Sequence, residues 1–166
     1  MSLLRQNRVR NFLNQGDSLL VTTPTNIRYL SGYTGSNGML LVTPDQVFLF
    51  TDSRYTIAAH AECVDVDIVI TRDLLGEALK RCVSSELVVE GRNLSILQYQ
   101  EIQQIQPALN LRAEKGIVEK VRVVKDEQEL ALIAQACAIS TGALTELCQT
   151  IQVGDSERQL ARRLED

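Results

Sequence analysis

GMLLVTPDQVFLF, residues 38–50, holds two apolar runs, Gly38 to Thr43 and Gln46 to Phe50, joined at Pro44-Asp45. So short a polar link between apolar runs predicts an antiparallel β-hairpin. Upstream, Ser18 to Thr22 reads as a buried strand, and Pro24-Thr25 opens a short helix through Ile27 and Leu30 that Gly32 ends. Leu3 to Leu13 has apolar residues at 3, 4, 9, 12 and 13, a roughly helical spacing that Gly16 stops. Downstream, Asp52 or Ser53 caps a helix running toward Glu62, and Val66 to Ile70 is a strand. A helix over Leu74–Cys82, a strand at Leu87–Glu90 and a helix from Ser95 to about Ile105 follow. After Pro107, Leu109–Ala113 and Ile117–Val121 read as further short strands. Strands alternating with helices predict an α/β body, a mixed β-sheet flanked by helices, because the hairpin forbids a wholly parallel sheet.

After Lys125 the pattern changes. Asp126 with Glu129 resembles a capping box. Leu130, Ile133, Cys137, Thr141, Leu144, Cys148 and Ile151 then keep one helical stripe until Val153-Gly154 breaks it. Ser156 with Gln159 opens another helix, with Leu160 and Leu164 on one face. A short helix with half an apolar stripe does not hold itself together, and neither helix has a partner sheet left in the sequence. The expected organisation is a first domain over 1–124, with 125–166 the linker and first helices of a truncated second domain. Were the 166 residues complete, these helices would have to pair between chains.

The bulk composition, 45% hydrophobic and 23% charged, is that of an ordinary globular chain. A net charge of -4 with both signs interspersed argues against nucleic acid, which demands a concentrated basic face. Arg158, Arg162 and Arg163 alternate with Glu157, Glu165 and Asp166, as on a solvated helix face. No stretch approaches the roughly 20 apolar residues that span a bilayer, and Met1 to Arg10 lacks the apolar core of a secretory signal. Neither a membrane nor a nucleic-acid partner is therefore expected. Cys63, Cys82, Cys137 and Cys148 show no CxxC spacing and read as reduced thiols of a cytoplasmic protein.

Three blocks then stand in order: Asn26-Ile27-Arg28-Tyr29-Leu30-Ser31-Gly32-Tyr33, Thr34-Gly35-Ser36-Asn37-Gly38, and Phe50-Thr51-Asp52-Ser53-Arg54-Tyr55. Together they resemble the N-terminal domain of the aminopeptidase P, prolidase and creatinase family. A fourth block, Val121-Arg122-Val123-Val124-Lys125-Asp126-Glu127-Gln128-Glu129 with Ile133 and Ala136, is similar to the segment leading into that family's "pita-bread" catalytic domain. The resemblance implies an accessory domain of an enzyme that hydrolyses Xaa-Pro bonds, with its own catalytic domain and proline-containing peptides as partners. It also implies a homo-oligomer, most simply a dimer. The family uses two divalent metal ions (manganese, cobalt or zinc) to activate a bridging water, and their ligands belong to the catalytic domain. No catalytic residue and no metal ligand is expected in this chain, and the isolated piece is expected to be inactive. His60, the only histidine, reads as a helix-surface residue.

In that family the N-terminal domain lends residues to the rim of an active site. The resemblance makes Tyr33, Ser36 and Asn37 the candidates here, with the alternative that Ser36 and Asn37 merely satisfy turn amides. Asp52, Arg54 and Tyr55 are structural or interface candidates, Asp52 as a helix cap and Arg54 as its local or inter-domain partner. Two further readings share the fold: a creatinase-type enzyme cleaving an amidino group, and a non-catalytic protein-binding module like that in the large subunit of the FACT histone chaperone.

Overall fold

The computed structural model describes residues 2–165. The chain divides into two compact units, 1–123 and 124–166.

The first unit is built on a six-stranded sheet of β1 (Ser18–Val21), β2 (Met39–Val42), β3 (Val47–Thr51), β4 (Asp67–Ile70), β5 (Glu86–Glu90) and β6 (Asn110–Glu114), in the order β4-β3-β2-β1-β5-β6. The predicted hairpin is β2–β3, and β2 runs against both its neighbours while the other pairings are parallel. Successive side chains of a strand face opposite ways. Leu19, Leu40 and Leu49 therefore share one face, packed with Val9 of α1 (Ser2–Arg10), Ile27 and Leu30 of α2 (Pro24–Ser31), and Ala59 of α3 (Thr56–Glu62). Leu20, Leu41, Phe50 and Val89 share the other, against Leu75 and Leu79 of α4 (Leu74–Arg81) and Ile102 of α5 (Ile96–Ile105).

One prediction is corrected. Ile117–Val121 is not a strand but part of α6 (Ile117–Val123), which joins the first layer. Gly116 at φ 73° turns the chain, and Ile117, Val118 and Val121 then fall on one buried helical face. Glu119 in the first turn and Lys120 and Arg122 in the last complement the helix dipole. That spacing outweighs the strand propensity of three β-branched residues.

α2 begins without a side-chain cap of its own. The backbone amides just ahead of it, of Thr22 and Thr23, are met from across the fold by Glu90, at the end of β5. Glu90 Oε2 accepts from Thr22 N and Thr23 N, both at 2.7 Å, and from Thr23 Oγ1 at 2.7 Å. Glu90 Oε1 accepts from the amide of buried Asn26 at 2.6 Å, which also donates to Glu119 at 2.9 Å. A similar device ties the far strands together. Arg112 on β6 places Nε on Glu86 at 2.5 Å, Nη2 on Asp17 at 2.5 Å and Nη1 on Glu114 at 2.8 Å.

The second unit holds α7 (Glu127–Thr150) and α8 (Glu157–Glu165). The Asp126/Glu129 capping box is present, and Gly154 at φ 101° makes the turn between the helices. Gln159 reaches back to Ser156 N at 2.9 Å, and Arg163 anchors on Asp155 at 2.5 Å. No residue of α7 is buried. The expectation that no stretch is long and apolar enough to span a bilayer is corrected here: α7, alone among the described residues, meets that length and composition, with mean hydropathy 1.4 over 18 of its residues. Its continuity as one 24-residue helix adds up short apolar runs that look modest when read singly.

Glu90→Ala leaves the Thr22 and Thr23 amides without their acceptor and the buried Asn26 amide with Glu119 alone. It is expected to destabilise the first unit by about 2–4 kcal/mol, read as a lower urea midpoint at unchanged slope.

Candidate functional site

The three sequence blocks meet at the carboxyl edge of the sheet, where β3 ends and the loop after α2 arrives. Gly32 closes α2 in the left-handed region, φ 86°, with its amide on Arg28 O at 2.8 Å. A Cβ there would also sit 2.6 Å from the Glu62 carbonyl, so only glycine fits. Thr34 is then held to the end of α3: its amide donates to Glu62 Oε2 at 2.8 Å and its hydroxyl to Glu62 Oε1 at 2.9 Å.

Tyr33 does not face a bound peptide. It is 1% exposed, its hydroxyl lies 2.7 Å from Thr51 Oγ1, and both hydroxyls reach the Asn37 carbonyl, at 2.9 and 2.7 Å. Burial pushes the phenol's pKa up from its ordinary value, with the Thr51 hydrogen bond opposing. The reading of Tyr33 as an aromatic rim is thus corrected: the loop folds over this ring. Gly35 lies directly on the Tyr33 hydroxyl, and a Cβ on Gly38 would come 2.9 Å from the ring. The aromatic on the outer side is Tyr55, whose ring meets Tyr33 edge-on at 6.0 Å and 81°.

Ser36 is exposed and Asn37 half-buried, and each pairs with another side chain. Ser36 Oγ pairs with Tyr55 OH at 2.6 Å. Asn37 donates to Asp52 Oδ2 at 2.6 Å. Asp52 also caps the 3-10 turn Ser53–Tyr55 through Arg54 N at 2.9 Å, and receives the Arg54 fork, Nε at 2.9 Å and Nη2 at 2.8 Å. The Arg54 guanidinium, aided by Asn37, holds the Asp52 carboxyl well below the usual range.

His60 lies exposed on α3, and no base stands beside the Ser36 hydroxyl among these contacts. The cluster can bind and position; it holds no nucleophile–base pair. Among the described residues no group of three or more His, Cys, Asp or Glu is placed to hold a metal ion. A concavity of about 80 Å³ opens elsewhere, at the ends of β1 and β5, lined by Thr23, Glu90, Asn93 and Glu119 among others. The residues that sequence reading missed are Thr51, Glu62 and Glu90. Each acts on a partner at least 14 positions away, where no local spacing signals it.

Residues 5–124 match the family described as Creatinase/Prolidase N-terminal domain. The chain belongs to that family. Among relatives, an uncharacterized peptidase of Bacillus subtilis (strain 168) is 27% identical over 168 residues, spanning 98% of this chain and 48% of that protein. The structure of a Xaa-Pro dipeptidase from Bacillus anthracis covers 99% of this chain and 48% of its own, at 24% identity and TM-score 0.87, a likeness of fold. A Xaa-Pro aminopeptidase from Streptococcus thermophilus covers 73% of this chain and 98% of its own, at 28% identity and TM-score 0.67. The chain spans about half the length of the curated relatives it matches. As a Creatinase/Prolidase N-terminal domain, it carries its mixed sheet and flanking helices as that fold does.

Two outcomes test the geometry of the loop. Gly35→Ala drives a methyl group into the Tyr33 hydroxyl and is expected to cost about 1–3 kcal/mol, with faster amide exchange over 34–38. Asp52→Asn tests the ion pair by its pH dependence. A carboxylate with a depressed folded pKa stabilises fully above its unfolded value of about 3.9 and loses that stability as pH falls through the folded one. The variant's deficit in Tm is expected to be constant from pH 7 to about 5 and to close only below about pH 4.

Proposed function

We propose that the chain is the N-terminal accessory domain of a metal-dependent hydrolase that cleaves Xaa-Pro peptide bonds. Residues 1–124 form the accessory domain, and 125–166 are the linker and first helices of the catalytic domain. The observation that carries this reading is the family match over 5–124 in a chain about half as long as its peptidase relatives. Likeness of fold to the Bacillus anthracis dipeptidase extends over 99% of the chain, α7 included, which favours a second-domain role for that helix over a membrane one.

In this reading the two divalent ions, manganese, cobalt or zinc, are held by ligands outside the chain, and they supply the activated water. No step of the hydrolysis passes through residues 2–165. The domain's work is assembly, as one half of a dimer, and shaping of the active-site rim with Ser36, Asn37 and Tyr55. Asp52 and Arg54 hold that rim in place. Four free cysteines, two of them exposed, are consistent with a reducing cytoplasm.

The test compares the full-length protein with the 166-residue chain on a Xaa-Pro peptide. The full-length protein is expected to release the residue before proline and to stop on chelation, while the chain alone releases nothing. A full-length protein without hydrolysis, in manganese, cobalt or zinc, would overturn the enzyme reading and leave a protein-binding module.

A further inference from the structure

Arg112 and Arg54 show one guanidinium chemistry, complete in the first and half complete in the second. Arg112 meets a carboxylate with each of Nε, Nη1 and Nη2. Arg54 gives one side of its fork, Nε and Nη2, to the two oxygens of Asp52. Among the described residues nothing meets its Nη1, so the end of the fork, Nη1 with the second hydrogen of Nη2, points out unfilled.

A long surface side chain keeps its rotamer freedom unless something holds it. The Arg54 side chain is 71% exposed yet held by Asp52, which is itself only 14% exposed and bound by Asn37. Its Cζ lies 5.4 Å from the centre of the Tyr55 ring. Tyr55 is in turn fixed by Ser36 and by the edge of buried Tyr33. Every element behind the guanidinium is locked, and the one unlocked direction is outward. Preorganisation of this kind lowers the ordering cost of binding.

We propose that the outward end of the Arg54 fork, flanked by the Tyr55–Ser36 hydroxyl pair, receives the free carboxylate of a peptide. This rests on the Xaa-Pro peptidase reading and gives the rim a definite ligand chemistry. Asp52 already balances the arginine's charge, so selection depends on geometry more than on net attraction. A planar carboxylate offers two acceptors to two parallel N–H groups, whereas a terminal carboxamide offers one.

The test is a titration of the ¹⁵N-labelled 166-residue chain with alanylproline and with alanylprolinamide, following the Arg54 Nε–Hε and Tyr55 ring signals. The free acid is expected to give a saturable shift, with a Kd at least fivefold lower than that of the amide. Arg54→Lys, which keeps the charge but not the fork, is expected to abolish the shift at the Tyr55 ring. Equal shifts from the two peptides, or none from either, overturn the proposal. So do signals that move with protein concentration in the absence of peptide, which would assign the fork to an acidic side chain of a second copy. The peptidase reading stands or falls separately, on hydrolysis by the full-length protein.

Discussion

Thr22 and Thr23, between β1 and α2, carry backbone amides that the start of a helix leaves without a carbonyl partner, and the first unit is arranged around meeting that demand. Glu90 meets it from β5, with a full charge placed where the helix dipole favours one. The same carboxylate orients Asn26, whose amide also reaches Glu119 and whose carbonyl receives Arg122 at 2.9 Å. One side chain thus joins the end of β5, the start of α2 and the last helix of the unit. Once α2 is fixed, its left-handed end at Gly32 fixes where the loop after it must rise.

That loop inherits its rigidity from both directions. From below, the buried Tyr33 ring and hydroxyl supply a floor on which two glycines lie flat. From the side, Asp52 and Glu62 clamp it through Asn37 and Thr34. β3 and β5 run the same way, so Asp52 and Glu90 both emerge at the carboxyl edge of the sheet. Open α/β sheets commonly bind ligands at that edge, where neighbouring connections part. Here the parting lies between β1, whose chain goes on to β2, and β5, whose chain goes on to β6. Glu90 and its donors largely occupy it, and the exposed polar chemistry sits farther along, beyond β3.

What could be read from the sequence follows from the range of the forces involved. The 38–50 hairpin, the helix ended by Gly32 and the Asp126 cap are local and were legible from a few neighbouring residues. The mixed sheet and the family likeness followed from their order. Ile117–Val121 misled because β-branched residues over five positions carry no distinguishable period until the buried face is known. Tyr33 misled because an aromatic beside glycines looks like a presented side chain, and only Thr51 and the Asn37 carbonyl show it to be a floor. Glu90 was invisible: a glutamate at a strand end is ordinarily a solvated one, and its partners lie 64 to 68 positions earlier.

The central place of β1 also orders the assembly of the chain in time. β1, β2 and β3 form an antiparallel meander within residues 18–51, with α2 in its first connection, so their pairing closes smaller loops than the β1–β5 ladder does. The β1–β5 ladder joins Ser18 to Leu87, and its larger loop-closure entropy makes it a late step. On the ribosome, the meander emerges first with one flank of β1 bare, its backbone groups open to any passing strand. That exposure lasts until β5 arrives to cover the flank and Glu90 closes on α2, so the strand most buried in the finished sheet is the one most vulnerable during synthesis.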